Sequence, residues 1–343
     1  SDVYKRQHQG YIEPHNATAH WDEDDRIKVW TSTQGAFPVR TSTAAILDMD
    51  VSRIKVTPLE IGGGFGGKIP VYLEPVVSIL SKKSGRPVKA IMERSNVFQA
   101  SGPAPGGTIT VKMGTDKDAN IIAAETSIKL EAGGFPGAAV GAAVQCIFAP
   151  YDIPNTRIDG YDIVVNKPKS AAYRAPGSPQ AAFAAETVSD ELARIHNMDP
   201  IDFRLQNASK EDTRRADGVV FPKIGNVEVL EAAKASEHWK SDLGTPPKGR
   251  VRGRGVASGY WFNVGLKSAV SLTVNNDGSV ALVEGSTDIG GTRTSISMQA
   301  AEVLGIGVEN FIPTVGDTDT AGYALSLIHI SEPTRLGMIS YAV

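Results

Sequence analysis

The stretch IGGGFGGKIP, residues 61–70, is the segment on which the fold assignment depends. Strand-like sequence precedes it at residues 51–61, and apolar residues at helical spacing follow it at residues 71–83. A glycine-rich turn leaves backbone N–H groups free and lets a ligand approach the main chain closely. The pattern therefore favours a ligand-binding loop, and a plain glycine turn without a ligand is the alternative.

Two nucleotide-binding interpretations of this loop are open from its spacing. Gly62, Gly64 and Gly67 satisfy the G-x-G-x-x-G pattern of a dinucleotide-binding Rossmann unit, and Glu93 ends the next strand-like segment. The loop also resembles a P-loop, but Ile69 stands where a Ser or Thr hydroxyl should hold magnesium. The Rossmann interpretation predicts a continuing βαβ order, whereas the sequence that follows predicts an antiparallel hairpin.

The rest of the chain mixes hairpins with helices, which indicates an α+β fold with mixed and antiparallel sheets. The polar turn GTDKDAN separates two strand-like runs, and Asn276-Asp277-Gly278 is a strong hairpin signal. Ser178 is predicted to cap a long helix, and Asp199-Pro200 to start another. The predicted elements are strands at 26–30, 89–93, 109–113, 121–130, 158–165, 270–274 and 280–283, and helices at 71–83, 178–195, 199 onward, 227–239 and 295–304.

Composition excludes several classes of protein. A formal net charge of −3, with no dense Lys/Arg run, predicts no nucleic-acid partner. No apolar run approaches the roughly 20 residues of a membrane helix, so we expect no membrane span. Cys146 is the single cysteine, so the chain cannot hold an iron–sulfur cluster by itself. Without a visible secretory signal, we expect a cytoplasmic protein.

The two ends of the sequence do not resemble the rest. Residues 1–7 (SDVYKRQ) and 325–343 (LSLIHISEPTRLGMISYAV) resemble translated sequencing-adapter DNA. We therefore expect the protein-specific sequence to be residues 8–324, an internal piece of a longer gene. Since no selection shaped these end peptides to fit the fold, we expect them to pack poorly.

Four motifs in order resemble the molybdenum-binding large subunit of the xanthine dehydrogenase/aldehyde oxidase family. They are HQGYIEPHNATAHW at 8–21, GGGFGGK at 62–68, SAAYRAPGSPQAAFAAE at 170–186 and EGSTDIGGTRTSISMQAAEVLGI at 284–306. The resemblance implies a first molybdopterin-binding domain at 8–245 and the start of a second at 246–324. Together the motifs are much more specific than the glycine loop alone.

The resemblance also implies a function. Members of this family use a molybdenum–molybdopterin cofactor, in some cases its cytosine dinucleotide form, to hydroxylate an aldehyde or N-heterocycle carbon with oxygen from water. Electrons pass to iron–sulfur and FAD groups, often on separate subunits, so we expect a hetero-oligomer and a small-molecule substrate. An NAD(P)-binding Rossmann dehydrogenase domain is the alternative.

Cofactor-binding residues are implied by position within the matching motifs. In the glycine loop they are Gly64, Phe65, Gly66 and Gly67, and in the second signature they are Arg174 and Ala175. In the third loop they are Gly290, Gly291 and Thr292. The resemblance implies backbone N–H donors, an arginine for carbonyls or an anion, and a hydroxyl at a helix start. No residue is predicted to bind the metal directly.

Departures from the family pattern narrow the expected substrate. Purine-oxidising members have an acidic residue where Ile69 stands, and an arginine within the segment that here reads GAAVQCIFAP. Without those polar contacts we do not expect xanthine to be the substrate. Carbon-monoxide-oxidising members have a copper-binding Cys where Ala175 stands. In the third loop, Gly291 stands where the family usually has the glutamine of a Gly-Gln-Gly sequence.

Two catalytic positions of the family are not assigned in this chain. The family's active-site glutamine corresponds to Gln7, inside the first end peptide, with Gln9 as a weaker candidate. The family's catalytic glutamate belongs to a Gly-x-Gly-Glu loop beyond Ala324. We therefore name no catalytic residue and expect the 343-residue chain alone to be inactive.

Overall fold

The computed structural model describes residues 8–262 and 267–324. They belong to two compact units. The first unit is formed by residues 105–170 and 175–262, and the second unit by residues 8–104, 171–174 and 267–324. These units are discontinuous in sequence, unlike the consecutive domains 8–245 and 246–324, which remain a prediction. The predicted adapter peptides, 1–7 and 325–343, lie outside the described residues.

One four-stranded sheet carries the glycine loop in the second unit. Its strands are β1 Asn16–Trp21, β2 Ile27–Thr31, β3 Ile54–Pro58 and β4 Val88–Ile91. Their order across the sheet is β3-β2-β1-β4, with β2 and β3 parallel and the other pairs antiparallel. The core is formed by alternate residues of these strands, such as Ala19, Val29 and Val56, which are fully buried. The other elements of this stretch are α1 Ala36–Leu47, a 3-10 turn Val51–Arg53, α2 Glu74–Ser84 and α3 Arg94–Ala100.

The Rossmann interpretation is wrong because this sheet has the wrong strand order. A Rossmann unit requires the strands before and after the loop helix to be parallel neighbours. Here β3 and β4 lie at opposite edges, and β4 pairs antiparallel with β1. The helix α2 does not begin until Glu74, so the loop is not a helix N-terminus.

A second sheet in the same unit contains the predicted Asn276–Gly278 hairpin. β8 Val270–Val274 pairs antiparallel with β9 Val280–Glu284, and β9 pairs parallel with β10 Phe311–Val315. α9 Thr292–Leu304 covers this sheet, and a 3-10 turn Val308–Asn310 precedes β10. Leu282, Ile296 and Phe311 form part of the shared core.

The turn after β10 joins this sheet to the edge strand β3. The Thr318 N–H donates to the Val56 carbonyl at 3.1 Å, and the Val56 N–H donates to Thr318 Oγ1 at 3.0 Å. Asp317 pairs with Lys55 at 2.7 Å, and Asp319 with Arg26 at 3.1 Å. These carboxylates therefore anchor a polar turn.

The first unit contains the predicted antiparallel hairpin of β5 Gly107–Thr115 and β6 Ile121–Gly133. A third strand, β7 Thr156–Val164, runs parallel to β6. Two helix predictions need correction. Ser178 does not cap α5, since it is the first residue of the helix and Gly177 occupies the N-cap position. The Ser178 hydroxyl donates to the Tyr260 carbonyl instead. The predicted helix 227–239 breaks at Ser236, whose side chain caps a new turn. The helices are α4 Val140–Cys146, α5 Ser178–Ile195, α6 Pro200–Gln206, α7 Asn226–Ala235 and α8 Glu237–Lys240.

A buried polar network fixes α5 against α6 in this unit. Arg204, with a fully buried side chain, donates from Nε to Glu186 Oε2 at 2.8 Å. Glu186 also accepts the Tyr151 hydroxyl at 2.5 Å and the Ser258 N–H at 2.6 Å.

Among the described residues, no helix has the length and apolar composition that a membrane crossing requires.

We predict that Arg204→Met lowers the free energy of unfolding by about 3–5 kcal/mol, because it leaves the Glu186 carboxylate buried without its cation. Arg157→Met is the matched control, since Arg157 pairs with Asp159 at the surface with 73% of its side chain exposed. We expect that control to change stability by less than about 1 kcal/mol. Chemical denaturation of the full-length protein measures both, and equal effects would contradict the prediction.

Candidate functional site

The glycine loop has an unusual backbone and leaves several N–H donors without protein acceptors. Gly63 (φ +87°), Phe65 (φ +52°) and Gly66 (φ +98°) all have positive φ, a conformation that is unfavourable for phenylalanine. Within residues 8–262 and 267–324, the N–H groups of Gly63, Gly64 and Phe65 have no protein acceptor. Such a backbone nest is suited to an anion or an oxo group.

The glycines are required because the loop packs directly on neighbouring segments. A Cβ atom on Gly64 would lie 2.5 Å from Gln34 Oε1, and one on Gly66 would lie 2.5 Å from the Ala172 carbonyl oxygen. At Gly67 it would lie 2.7 Å from Tyr11 Cε1. The loop therefore touches both the first and the second signature.

Gln34 holds the back of the loop, and no sequence motif identified it. Its Oε1 accepts the N–H groups of Gly66 at 2.8 Å and Lys68 at 3.1 Å. These two donors are therefore occupied, and Gly67 N–H donates to the Gly64 carbonyl at 2.8 Å. Of the four predicted loop residues, Gly64 and Phe65 keep free donors, whereas Gly66 and Gly67 shape the loop.

Arg174 lies against the loop through its main chain. Its N–H donates to the Phe65 carbonyl at 2.9 Å, and its exposed side chain has no recorded partner among the described residues. A guanidinium without a protein partner is available to an anionic ligand. Ala175 follows with φ +54°, but it belongs to the other compact unit.

An ion pair between Lys68 and Glu13 supports the glycine loop. The Lys68 side chain is fully buried, and its Nζ donates to Glu13 Oε2 at 2.6 Å and Ser32 Oγ at 2.8 Å. Glu13 Oε2 also accepts the Gly62 N–H at 2.8 Å. Burial opposes ionisation of Glu13, but bonds from Lys68, Ser32 and Gly62 outweigh it and lower the Glu13 pKa to about 2.

The first signature supplies a second layer of support. The Tyr11 hydroxyl bonds His15 Nε2 at 2.6 Å, and burial lowers the His15 pKa to about 4. Gln9 Nε2 donates to the Ala172 carbonyl at 2.7 Å, which ties the first signature to the second. Gln9 is therefore a structural clamp in this arrangement, while Gln7 lies outside the described residues.

The third loop offers fewer free donors than its sequence suggested. Gly290 (φ +70°) and Gly291 (φ +112°) face open space, since a Cβ on either would meet nothing within 4 Å. However, Asp288 Oδ1 accepts the N–H groups of Gly291 at 2.9 Å and Thr292 at 2.8 Å. Within the described residues only the Gly290 N–H of these three is without an acceptor.

Arg293 connects the third loop to the segment that leads into the glycine loop. Its Nε donates to Asp288 Oδ2 at 2.6 Å, and its other end donates to Glu60 Oε1 at 2.5 Å. The structure thus brings the glycine loop, Arg174 and the start of α9 into one compact unit. In the part of the chain that the structure describes, no three His, Cys, Asp or Glu side chains could together hold a metal ion.

Comparisons with known proteins match most of this chain. Two models of a molybdopterin cofactor-binding domain match residues 3–208 and 228–326. The chain is 31% identical over 319 residues to the aldehyde oxidoreductase molybdenum-binding subunit of Escherichia coli, covering 90% of this chain and 42% of that protein. It is also 31% identical over 229 residues to the nicotinate dehydrogenase large molybdopterin subunit of Eubacterium barkeri, covering 65% of this chain and 54% of that protein.

Solved structures show the same fold at lower identity. Quinoline 2-oxidoreductase from Pseudomonas putida matches with a TM-score of 0.84 at 22% identity, over 95% of this chain and 45% of that one. The aldehyde oxidoreductase from Desulfovibrio desulfuricans matches with a TM-score of 0.82 at 23% identity, over 95% and 37% of the two chains. The mixed and antiparallel sheets predicted from sequence are therefore confirmed.

We predict that Glu13→Gln loosens the glycine loop, because it leaves the Lys68 ammonium buried without a counter-charge, at a cost of about 3–5 kcal/mol. The Glu13 pKa is below its usual 4.5, so the wild-type contribution is present above that pH and is lost as pH falls toward about 2. Hydrogen exchange of residues 62–68 in the full-length protein measures the change. Glu23→Gln, at an exposed position, is the control and should exchange like wild type.

Proposed function

We propose that this chain, which belongs to the molybdopterin cofactor-binding family, is the cofactor-holding part of a molybdenum hydroxylase. The observation that supports this most strongly is the nest of free N–H groups at Gly63, Gly64 and Phe65, with Arg174 at its rim. The chain spans about 42% of the length of the aldehyde oxidoreductase subunit that it matches, so the reaction itself is part of the proposal.

The residues present fit an anionic, oxo-bearing cofactor. When bound, a molybdenum–molybdopterin group supplies two-electron oxidation of an electron-poor carbon, with water as the oxygen source. The N–H groups of Gly64 and Phe65 would donate to it, and the Arg174 guanidinium would balance its negative charge. Phe65, with 41% of its surface exposed, would exclude water from the bound group. Gly290 would add a donor from the third loop.

The fixed loop gives these contacts their value. N–H donors that are already oriented require no reorganisation when a charge develops nearby, so they stabilise it more than mobile water does. In this chain the orientation is set by Gln34, by the Lys68–Glu13 ion pair and by the contact of Gly66 with Ala172. The protein's contribution to the chemistry is therefore mainly positioning and electrostatic stabilisation.

The proposed substrate is an aldehyde or an N-heterocycle, and not xanthine or carbon monoxide. Ile69, beside the loop lysine, is 45% exposed and offers no carboxylate to a purine. The segment 141–150 contains no arginine, and Ala175 offers no thiolate for copper. A site without these polar groups cannot orient a purine as strongly as one that has them.

Electron transfer and assembly complete the proposal. Cys146 is buried and is the single cysteine, so iron–sulfur clusters and FAD would belong to other domains or subunits of a hetero-oligomer. The cytosine dinucleotide form of the cofactor and a cytoplasmic location are likewise proposed. The catalytic base would lie outside this sequence, so the 343-residue chain alone is expected to show no turnover.

We predict that the full-length protein, purified with its partners, contains molybdenum and pterin in near-equal amounts and oxidises aldehydes or N-heterocycles in a dye-coupled assay. Gly66→Ala should reduce both contents, because its Cβ would strike the Ala172 carbonyl and its φ of +98° disfavours alanine. Gly114→Ala, where a Cβ meets nothing within 4 Å, should retain both. A wild-type protein without molybdenum or pterin would contradict the proposed function.

A further inference from the structure

A cluster of unpaired polar atoms is buried immediately before the third loop. Both carboxylate oxygens of Glu284, Ser286 Oγ and Thr287 Oγ1 lack an aligned hydrogen-bond partner among the described residues. Glu284 and Thr287 are 0% exposed, and Ser286 is 4% exposed. An ionised carboxylate in such surroundings has a high desolvation cost, so this group requires an explanation.

The main chain keeps Glu284 in this buried position. Glu284 ends β9, and its side chain shares the core-facing side of the strand with Val280 and Leu282. Its carbonyl accepts the Gly316 N–H at 2.8 Å, and the next residue, Gly285, donates its N–H to Ala269 at 3.1 Å. These two main-chain bonds hold Glu284 in place while the loop that follows it is closed.

Asp288, four residues along, has the opposite environment. It accepts the N–H groups of Gly291 and Thr292 and the guanidinium of Arg293. Although burial opposes it, these donors lower the Asp288 pKa. For Glu284, burial and then repulsion from Asp288 raise the pKa to about 7, against weaker help from Arg293 and Ser286.

Among the residues that the structure describes, no other charged group on the neighbouring elements compensates Glu284. β8 (VSLTV) and β10 (FIPTV) carry no charged residue. Asp317, which follows Gly316, is already paired with Lys55 at 2.7 Å. Arg293 is held between Asp288 and Glu60, and Glu302, the other charged residue of α9, is exposed. The neutral carboxylic acid is therefore the form that suits this position.

We propose that Glu284 is a positioning residue that holds a proton beneath the third loop and thereby keeps the loop, residues 285–292, in its closed arrangement. A neutral carboxyl can donate its O–H to an adjacent hydroxyl such as Ser286 and accept through its other oxygen. When Glu284 loses that proton, it places a second buried negative charge behind Asp288 and competes with it for Arg293. The cap on α9 then weakens, and the loop opens to hydrate the carboxylate.

The direction of the pH effect follows from the raised pKa. In an opened loop Glu284 would titrate near its ordinary value of 4.5, and in the closed loop near 7. The closed loop is then favoured fully below about pH 4.5 and loses that advantage progressively until about pH 7, above which no further change is expected. The third loop is thus proposed to loosen as pH rises to neutrality.

Hydrogen exchange of residues 285–292 in the full-length protein tests this directly, after correction for intrinsic exchange. Wild type should lose protection by about tenfold per pH unit between those two pKa values and then level off. Glu284→Gln, which mimics the protonated acid, should keep the low-pH protection throughout. Glu302→Gln should behave like wild type. A wild-type pH slope in Glu284→Gln would overturn the proposal.

A second measurement covers the case in which Glu284→Gln does not fold. Infrared spectra of the wild-type protein at about pH 6, where ordinary carboxyls are ionised, should show the carbonyl band of a protonated acid that disappears as pH rises further. Absence of that band would also overturn the proposal. Molybdenum and pterin are measured on the same samples, because a protein without cofactor would contradict the proposed function and leave the loop's pH slope intact.

Discussion

The Lys68–Glu13 ion pair is the constraint on which the glycine loop depends. The ammonium is fully buried, so it is tolerable only if a carboxylate and a hydroxyl remain at hydrogen-bond distance. Glu13 at the same time accepts the Gly62 N–H, and the Lys68 N–H is held by Gln34. Both ends of the loop are therefore fixed by one network, and the residues between them have little freedom to relax into an ordinary turn.

This fixation explains why the loop can keep an unfavourable backbone. Phe65 has a positive φ, which costs a non-glycine residue on the order of 1 kcal/mol or more. The contact of Gly66 with Ala172 and the Arg174 N–H bond to Phe65 allow no alternative path for the chain. The strain leaves three successive N–H groups without acceptors, and these groups are what a bound anion would use.

Local patterns predicted the elements whose information is local. The Asn276–Gly278 turn, the hairpin of β5 and β6, and α6 after Asp199 all follow from short-range chemistry and were found. The helix α1 was not predicted, since Pro38 and several β-branched residues hide its pattern. The resemblance identified the glycine loop and Arg174, but not Gln34 or the Glu13–Lys68 pair. Those contacts join residues that are far apart in sequence, so no spacing rule could indicate them. The burial of Glu284 was not predicted. It takes the next inward-facing position of β9 after Val280 and Leu282, but a charged residue at the end of a strand is normally expected to face solvent.

A site that consists mostly of backbone donors separates cofactor binding from substrate choice. N–H groups are present whatever the side chain, so the nest needs only glycines and supports such as Gln34 and Glu13. Positions beside it, including Ile69, can then change from acidic to apolar without altering the loop, because the Ile69 side chain is exposed and its bond to the Gly66 carbonyl comes from the main-chain N–H. Under the proposed function, an apolar neighbour at this position would favour less polar substrates, since a buried polar edge would be left without partners. The chain's departure from the purine-oxidising pattern is therefore compatible with an unchanged cofactor cradle.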